Sequence, residues 1–145
     1  MASLRSFQEA NDNYFPEIEK SAKSFLQEYL IESEDFVKNE TMEEILKEEY
    51  NYTILYEDFT SLGGKDLAKL RSIFIKEKKL LYININSDND QKRFILAKEL
   101  GYNYLDLKER LYTFSWASFD NFDQLLNNFY ASYFAGALLL PEEKL

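Results

Sequence analysis

The sequence predicts an α+β fold in which about four helices pack on a small three-stranded sheet. Segments with helical spacing open and close the chain, and the middle is rich in Tyr, Thr and Ile around the only Gly pair. This order of helices, strands and helices favours a small antiparallel or mixed sheet. A chain of 145 residues, 46% apolar and without a visible linker or repeat, has the size of one domain. We therefore expect residues 1–145 to form a single domain.

The first two helices are predicted from apolar spacing. In "FPEIEKSAKSFLQEYLIES", Pro16 suits the first helical turn, and apolar residues recur at three- and four-residue steps. In "TMEEILKEEY", Thr41 and Glu44 have the spacing of a capping box, which predicts a short second helix that starts there. The predicted buried residues of these two helices are Ile18, Ala22, Phe25, Leu26, Tyr29, Met42, Ile45 and Leu46.

Three strands are predicted in the middle of the chain. Tyr52–Glu57 is rich in Tyr, Thr and Ile and lacks a helix-start signal, so it is typical of a strand. The Gly pair in "SLGGKD" indicates a turn or an exposed loop. Two further runs, Arg71–Ile75 and Leu80–Ile85, flank the polar "KEKK" and predict a hairpin.

Two more helices are predicted after the strands. "SDNDQ" supplies N-cap candidates for a helix from about Asp90 to Tyr104. A longer helix should cover roughly Asn121–Leu139, before Pro141. Its predicted buried side is formed by Leu125, Leu126, Phe129, Tyr133, Phe134, Ala137 and Leu138.

The composition excludes several kinds of site. The chain has no Cys and no His, so thiolate or imidazole zinc sites and every Ser-His or Cys-His nucleophile pair are ruled out. With a net charge of −9, most of the surface would repel nucleic acid, and we interpret the basic Lys65–Lys79 stretch as a solvated face. No long apolar run or signal peptide is visible, so we expect a cytoplasmic protein without a membrane partner.

Two segments of the closing helices carry a specific pattern. "RFILAKELGYNYL" is followed about thirty residues later by "NNFYASYFAGALLLP". Together they resemble the ImmA/IrrE family of compact gluzincin-type metallopeptidases, whose helices typically read R-F-x-x-A-H-E-x-G-H and E-x-x-A-N-x-F-A-x-x-L-L-x-P. The resemblance implies a zincin-like (minigluzincin) architecture. The matching framework positions are Arg93, Phe94, Ala97, Glu99, Leu100, Gly101, Ala131, Phe134, Ala135, Leu138, Leu139 and Pro141.

The same resemblance implies that the metal ligands have been replaced. Lys98 and Tyr102 stand at the positions of the two histidines, and Asn128 stands at the position of the carboxylate ligand. Only Glu99, at the position of the general base, is kept. A protonated lysine has no lone pair for a metal, and a carboxylate without a metal-bound water has nothing to activate. We therefore predict a pseudopeptidase without a metal, a cofactor or a catalytic residue, in which Glu99 is vestigial.

These four residues, Lys98, Glu99, Tyr102 and Asn128, are the predicted ligand-binding set. Glu99 is either a solvated carboxylate or a retained pocket residue. Lys98 either reaches solvent or pairs with Glu99 or an anionic ligand, whereas Tyr102 and Asn128 are expected to form hydrogen bonds across the vacated site. A further aromatic group either lines a pocket or packs in the core, and it comprises Phe114, Trp116, Phe119, Phe122 and Tyr130.

Family members of this kind are similar to the sensor half of regulators in which a helix-turn-helix domain comes first. The resemblance therefore implies a regulatory module, excised from a longer bacterial chain, that binds a small anionic ligand or a protein partner. DNA would be contacted only through a missing N-terminal domain. One alternative is a hydrolase that uses Glu99 with a non-zinc metal or with none, for which Asp106, Glu109 and Asp123 are the candidate further carboxylates. Another is a structural module, or a dimerisation module that forms a homodimer, with no ligand in either case.

Overall fold

The fold was described from a computed structural model, which covers residues 15–29, 38–62, 70–108, 110 and 122–139. In chain order the elements are α1 (Pro16–Glu28), α2 (Asn39–Tyr50), β1 (Thr53–Glu57), β2 (Ser72–Ile75), β3 (Leu80–Asn84), α3 (Asn89–Tyr104) and α4 (Phe122–Leu139), with short 3-10 turns at Phe59–Leu62 and Lys76–Lys78. The predicted α+β class is thus confirmed, with four helices and three strands in the described part of the chain.

The three strands form one mixed sheet with the order β1-β3-β2. Strands β2 and β3 pair antiparallel through the turn at Lys76–Lys78, which confirms the predicted hairpin, and β1 lies parallel to β3. The central strand carries the buried face of the sheet, since Leu81 and Ile83 are fully buried. Helix α3 follows this central strand after a short turn.

The ends of the helices differ in how well the sequence predicts them. Pro16 lies in the first turn of α1, and Asp88 caps α3 in a capping box with Gln91. The predicted capping box of α2 is wrong. Helix α2 begins at Asn39 after Lys38, which makes no side-chain cap hydrogen bond, so Thr41 lies inside the helix.

Helices α3 and α4 lie side by side, as the small residues of the motif require. A Cβ atom on Gly101 would lie 3.1 Å from the carbonyl oxygen of Ala131 and 3.1 Å from Cδ1 of Phe134. Ala97, Ala131 and Phe134 are all fully buried. The absence of a side chain at Gly101 therefore lets the two backbones approach closely enough for side chains of both helices to meet.

Helix α1 packs on the outer side of α4. The ring of Phe25 contacts the ring of Phe134 edge to face, with 5.9 Å between the centroids. The same core contains Met42 and Leu46 of α2, which are fully buried. No helix within the described ranges is long and apolar enough to cross a membrane. Of the basic Lys65–Lys79 stretch, residues 65–69 lie outside the described residues.

Candidate functional site

The four predicted site residues line one cleft of about 390 Å³. The cleft lies where α3 faces the start of β2 and the first half of α4. Its described lining residues are Arg71, Ser72, Asp88, Asp90, Gln91, Phe94, Ile95, Lys98, Glu99, Tyr102, Arg110 and Asn128. The structure therefore brings together the three positions that correspond to metal ligands and the position of the general base.

At the centre of the site, Glu99 forms a two-pronged ion pair with Arg110. Nη1 of Arg110 donates to Oε1 of Glu99 at 3.0 Å, and Nη2 donates to Oε2 at 2.6 Å. The side chain of Arg110 is only 11% exposed, and that of Glu99 is only 6% exposed. Of the two readings of Glu99, the solvated carboxylate is therefore wrong. A bidentate pair of this geometry fixes both oxygens of the carboxylate.

Arg110 is also held by aromatic rings. Its guanidinium carbon lies 4.2 Å from the ring centroid of Phe74 and 4.1 Å from that of Tyr102, which are cation–π distances. Burial disfavours the charge on Arg110, but the adjacent Glu99 carboxylate more than offsets it and raises the pKa of the guanidinium. Arg110 is therefore a permanent cation at the base of the cleft.

A second layer of hydrogen bonds holds Glu99 from the side of the sheet. The hydroxyl of Tyr52 donates to Oε1 of Glu99 at 2.8 Å, and Nδ2 of Asn103 donates to the Tyr52 oxygen at 2.8 Å. Burial and then the charge of Glu99 raise the pKa of Tyr52, so its phenol keeps the proton that it donates. Glu99 thus accepts three hydrogen bonds from described side chains.

The expected hydrogen bond across the vacated site is present. The hydroxyl of Tyr102 donates to Oδ1 of Asn128 at 3.2 Å and so joins α3 to α4. Tyr102 is 4% exposed, and burial raises the pKa of its phenol. A neutral phenol and an amide therefore occupy the space where the family pattern has an imidazole and a carboxylate.

Of the readings of Lys98, the direct ion pair with Glu99 is not formed. No carboxylate of the described residues forms an ion pair with its Nζ, and both oxygens of Glu99 are bound by Arg110. Burial lowers the pKa of Lys98, and the Glu99 charge opposes this shift only in part. Lys98 is thus a half-buried cation in the wall of the cleft, without a carboxylate partner in the described part of the chain.

These donors do not fit a zinc ion. Lys98 is a cation, Tyr102 and Asn128 bind each other, and Glu99 is held by Arg110. Within the described residues no group of three His, Cys, Asp or Glu side chains could hold a metal. Of the acids in the hydrolase alternative, Asp106 is exposed, while residue 109 and the side chain of residue 123 lie outside the described residues.

Sequence reasoning missed the two main partners of Glu99, which are Arg110 and Tyr52. A usable signal existed for the first, because a carboxylate that loses its metal and stays buried needs another cation. Of the predicted aromatic group, residues 114, 116 and 119 and the side chain of residue 122 lie outside the described residues. Tyr130 is half-buried and packs edge to face on Phe15.

Comparison with known proteins bears on the fold and the family of this chain. A solved structure of a Mycobacterium tuberculosis transcriptional regulator shares the fold, with a TM-score of 0.68 at 15% identity. The match covers 98% of this chain and 41% of that chain, so this chain spans less than half of the regulator's length. No curated protein sequence matches significantly. The model of a peptidase family, described as the IrrE N-terminal-like domain, matches residues 47–145, and the chain therefore belongs to that metallopeptidase-like family.

Proposed function

We propose that this chain is a catalytically inactive, peptidase-like regulatory module of a bacterial helix-turn-helix transcription regulator. In this proposal residues 1–145 form one domain of a longer cytoplasmic protein. Its cleft binds a small anionic ligand or a protein partner through Lys98, Glu99, Tyr102 and Asn128. The observation that carries the proposal is the ion pair in which Arg110 binds both oxygens of Glu99.

The ion pair bears on catalysis because a general base needs a free lone pair directed at its substrate water. Oε2 of Glu99 accepts a hydrogen bond from Arg110, and Oε1 accepts from both Arg110 and Tyr52. A peptidase of this family would also need a metal to make that water acidic, and the cation at Lys98 repels one. The vestigial base is therefore a structural anion that holds Arg110 in place.

The regulatory part of the proposal is supported by the fold and the charge. The regulator with the similar fold is more than twice as long as the matched region, which leaves room in that protein for further domains. This chain has a net charge of −9, which is unfavourable for binding DNA directly. We infer that any contact with DNA is made by another domain, and that this module controls it.

The described charges of the cleft balance overall, so the support for an anionic ligand comes from the surroundings of Lys98. Lys98 and Arg71 line it as cations without a described carboxylate partner, whereas Asp88 and Asp90 lie at the start of α3. An anion would therefore bind beside Lys98 rather than at the start of α3, where Asp88 and Asp90 would repel it. A buried cation that gains a counter-ion recovers part of the cost of its desolvation.

The cleft is tested by thermal unfolding against a panel of mono-, di- and tricarboxylates. A carboxylate that binds the folded state raises the melting temperature of the wild type, and Lys98→Ala and Tyr102→Phe should reduce that rise. Lys20→Ala, an exposed lysine on α1, is the matched control and should behave as the wild type. Equal stabilisation of all four proteins would place the ligand elsewhere, and no stabilisation of the wild type would refute the small-ligand form of the proposal.

Catalytic inactivity is tested by rebuilding the metal site. Lys98→His, Tyr102→His and Asn128→Glu together should create zinc affinity without peptidase activity, because Arg110 still holds Glu99. Adding Arg110→Leu should release Glu99 and allow metal-dependent cleavage of a peptide substrate. Elemental analysis and a peptidase assay read out the two steps. Stoichiometric metal and metal-dependent proteolysis in the wild type would overturn the proposal, and a folded triple variant that binds no zinc would show that the ligand geometry is lost.

A further inference from the structure

A second concavity of about 340 Å³ lies on the other side of Arg110 and Tyr102. We call it the hairpin pocket, because the β2–β3 turn forms one of its walls. Its described lining residues are Tyr52, Phe74, Lys76, Lys79, Tyr102, Asn103, Asp106, Leu107, Lys108 and Arg110. Arg110 and Tyr102 line both this pocket and the cleft, so they form the wall between them.

The hairpin pocket has an unusual charge for this protein. Three lysines line it, Lys76 and Lys79 from the β2–β3 turn and Lys108 from the segment after α3. Asp106 is its only carboxylate among the described lining residues, and the charge of Arg110 is balanced by Glu99. The pocket therefore carries an excess of two positive charges in a chain whose net charge is −9.

One of the three lysines, Lys79, is held in position by a hydrogen bond to the backbone. Lys79 takes the left-handed conformation that closes the turn, with φ of 50°, and its Nζ donates to the carbonyl oxygen of Tyr50 at 3.1 Å. An ammonium group has three N–H donors, so two remain available. The side chain of Lys79 is therefore held beside the turn by a hydrogen bond that leaves its positive charge unneutralised.

The opposite wall of the pocket is aromatic and apolar. The rings of Tyr52 and Phe74 are stacked at 5.1 Å between centroids, and Leu107 lines the pocket beside them. Arg110 lies against Phe74 and uses two of its five N–H donors on Glu99. The hairpin pocket thus combines an aromatic and apolar lining with three lysines from two segments of the chain.

We propose that the hairpin pocket is a binding site for a small phosphate monoester with a planar or apolar body. A phosphate monoester carries close to two negative charges near neutral pH, which matches the excess positive charge of the pocket. Lysine binds phosphate as a point charge, and the apolar body would pack on Leu107 beside the Tyr52–Phe74 pair. This site does not use Lys98 or Asn128, and it does not depend on the function proposed for the cleft.

The experiment uses phenyl phosphate as the probe, with phenol and inorganic phosphate as matched halves of the same molecule. Binding is followed by NMR titration at constant ionic strength, with millimolar ligand. We expect saturable binding of phenyl phosphate, with shifts at the backbone amides of the β2–β3 turn and of Leu107. Inorganic phosphate should bind more weakly, and phenol should not bind, since the anion supplies most of the attraction.

Charge-removing variants locate the site. The double variant Lys76→Gln, Lys108→Gln should weaken phenyl phosphate binding about tenfold or more. A matched double variant of two exposed lysines on other elements, Lys20→Gln with Lys47→Gln, should leave the affinity within about twofold of the wild type.

Several results would overturn the proposal. They are the absence of binding to the wild type at millimolar phenyl phosphate, equal affinity in the wild type and the Lys76/Lys108 variant, and equal binding of phenol and phenyl phosphate. An equal loss of affinity in the control variant would likewise refute a local site, because it would show a response to net charge alone.

Discussion

Replacing Arg110 by leucine should destabilise the fold more than most single substitutions. The change removes the cation that pairs with Glu99 but leaves the carboxylate, whose side chain is only 6% exposed. Breaking a buried ion pair by removing one partner costs about 3–5 kcal/mol, because the remaining charge has no compensation. That is a large share of the roughly 5–15 kcal/mol by which a domain is stable, and it would lower the melting temperature by roughly 6–20 °C.

The variant Arg110→Leu is measured by urea unfolding with circular dichroism, beside two comparison proteins. Arg71→Leu removes an exposed arginine and should change the free energy of unfolding by less than about 0.5 kcal/mol. The double variant with Glu99→Leu removes both charges and should recover most of the loss, since an apolar pair of similar volume is often no less stable.

Two outcomes would refute this reasoning. If Arg110→Leu lies within about 1 kcal/mol of the wild type, Glu99 has access to water or to another cation, and the buried pair is not what holds the site. If the double variant is as unstable as the single one, the loss comes from the packing of Arg110 on Phe74 and Tyr102 rather than from the unpaired carboxylate.

Two further predictions concern α3, α4 and the buried tyrosines. Gly101→Ala should lower the free energy of unfolding in urea by about 1–3 kcal/mol, because the new Cβ would press on the backbone of Ala131. Gly136→Ala is the control: its Cβ meets nothing within 4 Å, so this variant should raise the free energy of unfolding by roughly 0.5–1 kcal/mol. A stable Gly101→Ala would show that the helices separate freely. Burial raises the pKa of Tyr52 and Tyr102 above the ordinary 10.0, so their contribution to stability is present below pH 10.0 and lost as the pH rises above it. Phenolate absorbance should show both ionising only on unfolding, and ionisation together with exposed tyrosines in the folded protein would contradict this.

The elements could be predicted from the sequence wherever packing and periodicity agree. The hairpin around "KEKK" and the helix that starts after Asp88 have local signals that the tertiary structure does not override. The start of α2 does not follow its local signal. A capping box is worth only about 1 kcal/mol, and Met42, Ile45 and Leu46 pack equally well in a helix that begins one turn earlier.

The site could be predicted only where its residues belong to a periodic segment. Lys98, Tyr102 and Asn128 have fixed positions in the two-helix pattern of the family, so the resemblance is enough to predict that they lie together. Arg110 follows α3 outside any helix or strand, so no helical or strand periodicity predicts which residues its side chain will contact. Its pairing with Glu99 depends on the path of the chain after the helix, which a single sequence does not encode in any local pattern.

The mixed sheet has a consequence for the order in which the protein forms. Ile75 and Leu80 are paired across a short turn, but Thr53 pairs with Leu80, far along the chain. Closing the short loop costs less entropy, so the β2–β3 hairpin should form before β1 joins it. During synthesis β1 leaves the ribosome well before β3 has been made, and β3 is its partner in the described sheet. Until Asn84 has emerged, the nascent chain therefore presents the hydrogen-bonding groups of β1 to the solvent.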